Sequence, residues 1–199
     1  MDYVYERFKT PFGVKIETVT GGSRYSGKVW REIAMQIYCE NGRNGYRDIG
    51  HLPSGAPFIY GSDERISISH TDGCLVVTTI PLTPERSVSD FAPSNAIGVD
   101  VERADREQAH KLRERFLNEE ELKRVPDTPE ASLTAWTCKE AMLKAGMNAD
   151  INWRDDIVIE ALPTVDREGR GFIRIAGEKH TLRLHTLSLP PFLLTVALS

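Results

Sequence analysis

The segment from Leu133 to Met147 constrains the fold of this chain more than any other. It contains no proline and a single glycine near its end, and most of its residues favour helix. At about 100° per residue, a helix places Trp136, Glu140 and Leu143 on one face. The opposite face, around Cys138, is also apolar. A helix that is apolar nearly all round belongs inside a protein, so we expect the carboxylate of Glu140 to be partly withdrawn from water.

A buried carboxylate needs a partner, and the sequence offers two for Glu140. The first is Lys144, which lies four residues further on in the favourable order for a helical ion pair. The second is a metal ion shared with other carboxylates. The helix taken alone favours the ion pair with Lys144.

Length and composition describe an ordinary globular chain. Its 199 residues suffice for one large domain or two small lobes without disulfide bonds. The 3 cysteines form no C-x-x-C pair, which argues against a disulfide framework or a thiolate zinc site. The net charge of −4 and the scattered basic residues argue against a nucleic-acid partner. The N-terminus is charged and the longest apolar stretch, at 192–198, is too short to span a bilayer, so we predict a cytoplasmic protein without membrane contact.

A helix followed by antiparallel strands occurs twice along the chain. The first copy is a helical pattern at 23–38 with a hairpin at 65–80, and the second is the central helix with the strands from Ile157 onward. A polar, proline-bearing loop at 81–95 separates the copies. This doubling predicts an α+β fold of two similar lobes, each a helix packed on antiparallel strands. We place the lobes at residues 1–95 and 96–199.

Two acidic residues lie in the strand-like run AIGVDVE at 96–102. Alternation puts Asp100 and Glu102 on one face, about 7 Å apart and opposite an apolar face. By itself this pattern is typical of a strand with one solvated face, and Gly98 leaves room for a ligand beside the acids. Further on, Asn118 is predicted to cap a helix whose first turn carries three glutamates, including Glu121, in favourable interaction with the helix dipole.

Three carboxylates therefore stand out: Asp100 and Glu102 on the strand, and Glu140 on the central helix, with Lys139 and Lys144 beside it. Hard divalent cations such as Mg²⁺ take oxygen ligands, and they commonly bind through a few carboxylates together with substrate phosphates. These residues suggest a metal-dependent site for phosphate transfer, and they leave its reaction open.

Three motifs also share an order and a spacing. SISH at 67–70 precedes GVDVE at 98–102, and WTCKEAMLK at 136–144 follows. In this order they resemble the motifs of the 4′-phosphopantetheinyl transferase superfamily, and the resemblance covers roughly residues 23–147. The chain length resembles the larger, surfactin-type branch, which implies a monomer of two pseudo-symmetric lobes.

The resemblance implies roles for individual side chains. The ligands that it implies for Mg²⁺ are Asp100, Glu102 and Glu140. The residues that it implies for binding coenzyme A are Arg24, Ser69, His70, Lys139 and Lys144. Lys144 would also act in catalysis, by protonating the leaving phosphate. Glu121, in the run RFLNEEE, matches a proposed catalytic base, and a metal-bound water is the alternative base.

The reaction implied by the resemblance is a phosphoryl transfer. A serine hydroxyl of an apo acyl or peptidyl carrier protein attacks the β-phosphate of coenzyme A, takes the phosphopantetheine arm and releases 3′,5′-adenosine bisphosphate. Two alternatives use the same features: a protein that binds the carrier or coenzyme A without turnover, and a Mg²⁺-dependent phosphohydrolase. The run Gly55-Ala56-Pro57 lacks the lysine that the family carries at its centre, which favours the first alternative, while the intact acids argue against it.

Overall fold

The computed structural model describes residues 3–10, 13–21, 27–42, 47–82, 96–146 and 151–199. The elements of its first half are β1 (Tyr3–Lys9), β2 (Lys15–Gly21), α1 (Gly27–Glu40), β3 (Ile49–His51), β4 (Pro57–Ile59), β5 (Glu64–Thr71) and β6 (Cys74–Pro81). Those of its second half are β7 (Ile97–Arg103), α2 (Gln108–Lys111), α3 (Arg113–Phe116), α4 (Glu119–Arg124), α5 (Pro129–Gly146), β8 (Ile157–Ala161), β9 (Gly169–Ile175), β10 (Glu178–Leu189) and β11 (Phe192–Leu198). Within these ranges no helix is long and apolar enough to cross a membrane.

The first half forms a four-stranded sheet in the order β1-β2-β6-β5, with every neighbouring pair antiparallel. The predicted hairpin is confirmed as β5 and β6, which turn at Gly73, where a positive φ of 88° suits glycine. Helix α1 packs on this sheet through the buried side chains of Trp30, Ala34 and Tyr38. The short strands β3 and β4 pair with each other beside it.

The second half forms a five-stranded antiparallel sheet in the order β7-β11-β10-β9-β8. Helix α5 lies across it and begins four residues earlier than predicted, because Pro129 is well suited to a first helical position and Thr128 Oγ1 accepts a hydrogen bond from Ala131 N. Its last predicted residue, Met147, lies outside the described residues. The structure confirms that the chain is mixed α/β, with helices and antiparallel sheets. The predicted pseudo-symmetry of its two halves stays a prediction.

Strand β7 differs from the prediction of one solvated face. It is buried on both faces, with Asp100 and Glu102 only 5% and 8% exposed. The cause is α5, which crosses so close that a Cβ atom at Gly98 would lie 1.9 Å from the carbonyl oxygen of Ala141. Gly98 therefore makes room for the helix and not for a ligand.

The two sheets meet at their edge strands, β5 and β7. Ser67 Oγ accepts a hydrogen bond from Val99 N at 3.0 Å, and Ser69 Oγ accepts one from Val101 N at 3.2 Å. Serine hydroxyls thus satisfy backbone donors that a paired strand would otherwise satisfy. The predicted boundary between lobes falls at residue 95, beyond the described end of the first half at residue 82, and it stays a prediction.

The predicted cap of α4 is confirmed. Asn118 Oδ1 accepts hydrogen bonds from the backbone N–H groups of Glu120 and Glu121, at 3.1 and 2.9 Å, and Glu121 Oε2 accepts one from Asn118 N at 2.9 Å. This reciprocal capping box fixes the start of the helix. It also turns the Glu121 side chain back toward the interior.

Candidate active site

A cleft of about 1190 Å³ lies between the two halves of the chain. Much of its wall is apolar and consists of Met35, Ile49, Ile66, Ile68, Leu143, Ile151 and Trp153. Its polar residues include Ser69, His70, Asp100 and Lys144. The motifs of β5, β7 and α5, which are far apart in the sequence, therefore contribute side chains to a single cavity.

Asp100 has one oxygen held by hydrogen bonds and one without a partner among the described residues. Its Oδ1 atom accepts hydrogen bonds from Lys144 Nζ at 2.8 Å and from Ser69 Oγ at 2.9 Å. Its Oδ2 atom is buried and has no hydrogen-bond partner among the described residues. A buried carboxylate oxygen without a donor is costly, so this atom marks a place where a bound cation would be stabilised.

Lys144 joins α5 to both edge strands. Its ammonium group donates to Asp100 Oδ1, to Ser69 Oγ at 3.0 Å and to the carbonyl oxygen of Val99 at 3.0 Å. These three bonds use all of its hydrogens. The ion pair is thus with Asp100, and the pair between Glu140 and Lys144 that the helix alone favoured is wrong.

The other two predicted metal ligands, Glu102 and Glu140, are not among the described residues that line the cleft, but both lie near enough to Asp100 for its charge to raise their pKa values. Burial raises the pKa of Glu102, its hydrogen bond with Arg106 lowers it, and the negative charge of Asp100 raises it further. Burial and then the charge of Asp100 raise the pKa of Glu140, and Lys144 opposes this rise. The charge of Asp100 thus disfavours the ionisation of both glutamates, and a bound divalent cation would offset this effect.

The fit to a metal ion rests on the donors and not on a formed ligand cage. Across the described ranges, no three His, Cys, Asp or Glu side chains come close enough together to hold a metal ion. The positive charges beside these acids are those of Lys144, on Asp100, and of Arg106, on Glu102. Carboxylate oxygens suit Mg²⁺ and Asp100 Oδ2 has no partner among the described residues, but the binding of Mg²⁺ by the three acids stays a prediction.

Two of the predicted coenzyme-binding residues line the cleft on β5, Ser69 and His70. Ser69 Oγ is enclosed: it donates to Asp100 Oδ1 and accepts from Lys144 Nζ and Val101 N, which uses the full capacity of a hydroxyl. His70 is exposed and faces the cleft. Arg24, the predicted coenzyme-binding arginine, lies outside the described residues.

Glu121 and Lys139 lie apart from these residues. Both side chains are 0% exposed, and Lys139 Nζ is 2.8 Å from Glu121 Oε2. Burial lowers the pKa of Lys139, and the charge of Glu121 opposes that shift. Neither residue is among the described residues that line the cleft. This placement differs from the roles expected for them, because an enclosed carboxylate cannot reach a carrier serine and an enclosed ammonium cannot reach a phosphate.

Sequence reasoning missed two residues of the site. Arg106, which pairs with Glu102, also lies with its Cζ atom 5.8 Å from the centre of the Trp136 ring. Trp153 forms part of the apolar wall. Arg106 stands four residues after Glu102, a spacing that brings side chains together in a helix, but Glu102 lies in a strand. Trp153 is an isolated aromatic residue in a loop. Only the folded arrangement brings Arg106 to Glu102 and Trp153 to the cleft.

Asp100 beside Lys144, at the polar part of a large and mostly apolar cleft, suits a phosphate-bearing ligand with an apolar portion. A comparison with protein families agrees with this class. The family model of the 4′-phosphopantetheinyl transferase superfamily matches residues 96–197, just over half of the 199 residues. The chain therefore belongs to the 4′-phosphopantetheinyl transferase superfamily. No curated protein matches the chain significantly.

Proposed function

We propose that the chain transfers the 4′-phosphopantetheine arm of coenzyme A to a serine of an apo acyl or peptidyl carrier protein, in a Mg²⁺-dependent reaction that releases 3′,5′-adenosine bisphosphate. Membership of the superfamily supports a transferase that uses coenzyme A and a carrier protein. The observation that carries the proposal is Asp100, a buried acid in the cleft that has one oxygen held by Lys144 and the other without a partner among the described residues.

The acids are proposed to act together on the metal. Asp100, Glu102 and Glu140 would hold Mg²⁺, which when bound neutralises charge on the pyrophosphate and stabilises the transition state. Arg106 and Lys144 now pair with two of these acids, so they must yield part of their hydrogen bonding as the metal and the pyrophosphate bind.

Lys144 is proposed to bind the pyrophosphate and to act as an acid. Its side chain is 30% exposed, so it can turn from Asp100 toward a phosphate oxygen in the cleft while α5 stays in place. A lysine there offers both a positive charge and a proton for the leaving phosphate. The apolar wall around Leu143 and Trp153 suits the uncharged parts of coenzyme A.

The proposed step forms one bond and breaks one. The carrier serine oxygen bonds to the β-phosphorus, the bond from that phosphorus to the oxygen bridging to the α-phosphate breaks, and the leaving phosphate takes the electron pair. Because Glu121 is enclosed, we assign the serine proton to water in the cleft. Both halves of one chain supply walls of the cleft, which supports a site complete in a monomer and the two-lobe, surfactin-type arrangement.

Mass spectrometry of the carrier tests this proposal. The chain is incubated with coenzyme A, Mg²⁺ and apo carrier proteins of fatty acid, polyketide and peptide synthesis, with a chelator in the control. We expect at least one carrier to gain the mass of one phosphopantetheine arm. If coenzyme A binds but every carrier stays unlabelled, the transferase is refuted and a binding protein remains. Free phosphopantetheine without a labelled carrier would identify a phosphohydrolase.

A further inference from the structure

The pair formed by Glu121 and Lys139 has no role in the cleft chemistry described above. Two opposite charges with 0% exposure are expensive to bury, and such a pair persists only with good geometry and further hydrogen bonds. Those further bonds go to specific parts of the backbone. They indicate what the pair does.

Glu121 is held on both of its oxygens. Oε2 accepts from Asn118 N and from Lys139 Nζ, and Oε1 accepts from Ile159 N of β8 at 2.7 Å. One carboxylate thus ties the start of α4 to the edge of the second sheet and to α5.

Lys139 extends the same network toward the cleft. Beyond Glu121, its ammonium group donates to the carbonyl oxygens of Arg154 at 3.0 Å and Trp153 at 3.3 Å. Both carbonyl groups belong to the segment 151–156, which precedes β8. Arg154 holds the segment a second time, by donating from Nε to the carbonyl oxygen of Leu117 at 3.2 Å.

The segment fixed in this way carries Ile151 and Trp153 into the wall of the cleft. The Trp153 ring packs edge-on against Trp136 of α5, with ring centres 4.8 Å apart, and lies 5.5 Å from Phe116. Side-chain packing therefore sets the plane of the ring, and the hydrogen bonds of Lys139 set the position of its backbone.

We propose that Glu121 and Lys139 are positioning residues that hold Trp153 in the coenzyme-binding wall, and that Trp153 contributes directly to coenzyme A affinity. The inference rests on the proposed function, and it replaces the roles of base and of coenzyme ligand that the resemblance implied for the pair. The two readings differ in one measurable respect. A base cannot lose its carboxylate, whereas a positioning pair tolerates a neutral replacement of similar shape.

The deciding variant is Glu121→Gln combined with Lys139→Met. The amide oxygen of Gln can still accept from Ile159 N, and no buried charge is left without a partner. We measure the unfolding free energy, the Kd of coenzyme A by calorimetry, and kcat and KM for carrier labelling. We expect kcat to stay within about tenfold of the parent, with an unchanged pH profile, and Kd and KM for coenzyme A to rise about fivefold, the scale of one aromatic contact.

Trp153→Leu tests the wall directly, because the ring is only partly buried and leucine keeps an apolar side chain against Trp136 and Phe116. It should raise the Kd of coenzyme A about fivefold, and in combination with the double replacement the two effects should not add. Glu160→Gln is the matched control: Glu160 also forms ion pairs on the second sheet, with Arg170 and Lys179, and is not among the described residues that line the cleft. It should leave Kd, KM and kcat unchanged.

Several results would overturn the inference. A loss of kcat of about a thousandfold at unchanged Kd in the folded double variant would make Glu121 the base. If the effects of Trp153→Leu and of the double variant on the Kd of coenzyme A add, the pair does not act through Trp153. An unchanged Kd in either variant would also overturn the inference. If the double variant does not fold, Trp153→Leu alone decides through its Kd. A parent chain that binds no coenzyme A would refute the proposed function and this inference with it.

Discussion

Replacing Gly98 by alanine should disturb both the stability and the site, because of the contact between β7 and α5. The new Cβ atom would lie 1.9 Å from Ala141 O and 2.6 Å from Ala145 N, which are backbone atoms that cannot rotate away. To reach the 3.4 Å of an ordinary contact, helix and strand must separate by about 1.5 Å. Because a whole helix must move, we expect this overpacking to lower the unfolding free energy by about 3 kcal/mol or more, which is the upper end of the usual range.

The same displacement would reach Asp100 and Lys144, which line the cleft. Lys144 Nζ lies 2.8 Å from Asp100 Oδ1, and the two residues stand on α5 and β7. A separation of about 1.5 Å exceeds the tolerance of such a hydrogen bond. We therefore expect Gly98→Ala to lower the unfolding free energy in urea by about 3 kcal/mol and to lower carrier labelling about a hundredfold.

Gly146→Ala is the control, since Gly146 is the last residue of α5, the helix that Gly98 contacts. A Cβ atom there would meet the ends of the Ile151 and Ile173 side chains at 3.0 Å, and these ends can give way. We expect its unfolding free energy to change by less than about 1 kcal/mol, the gain in helix propensity offsetting the crowding. If Gly98→Ala is as stable as the parent, the close approach of α5 to β7 is refuted, and with it the helix placement that defines the site.

Three further predictions concern the charged residues. Lys144→Met should lower carrier labelling about a hundredfold or more, because the pyrophosphate loses a cation and a proton donor; labelling within about twofold of the parent would show that Lys144 only neutralises Asp100. Glu140→Gln should lower Mg²⁺-dependent labelling about a hundredfold. Without Mg²⁺, the Glu140→Gln variant should also be more stable than the parent at pH 7 and equally stable at acid pH. The raised pKa of Glu140 gives the parent its full stability below the unfolded value of 4.5, and the parent loses this stability as pH rises through the folded pKa, whereas glutamine does not ionise. Unfolding curves of variant and parent that differ equally at both pH values would contradict this. Glu121→Ala should cost about 3–5 kcal/mol, because it leaves the ammonium of Lys139 buried without its carboxylate, and urea unfolding that matches the parent would show that the pair is not buried.

Local signals in the sequence predicted the elements that depend on a few neighbouring residues. The turn at Gly73 and the alternation around it suffice for the hairpin of β5 and β6, and Asn118 suffices for the start of α4, because turns and caps are formed by residues close in sequence. The central helix followed from its composition. The helix begins at Pro129, before the apolar run, in a proline-containing segment that by itself predicts a loop.

Burial and partners could not be predicted in this way, because they depend on which elements cross. The run around Asp100 has the alternation of a half-exposed strand, and it is enclosed only because α5 lies over Gly98. Lys144 stands one helical turn from Glu140, yet it forms its ion pair with Asp100. The crossing of β7 and α5 places Asp100 beside the ammonium group. Resemblance pointed to Asp100, which lines the cleft, but it could not distinguish a charge facing the cleft from one enclosed like Glu121.

The hydroxyl of Ser69 shows that the junction of the two sheets and the polar part of the cleft are one structure. It accepts a hydrogen bond from Val101 N, which joins the edge strands, and it also accepts from Lys144 and donates to Asp100. An alanine there would remove the acceptor for a buried backbone donor and, at the same time, one of the two donors that hold Asp100. The first half of the chain therefore does more than close the cleft. Through the hydroxyl of Ser69 on β5, the first half orients Asp100 and Lys144 of the second half. Asp100 and Lys144 lie in the region that the family model matches, at 96–197, and they depend on a strand outside that region.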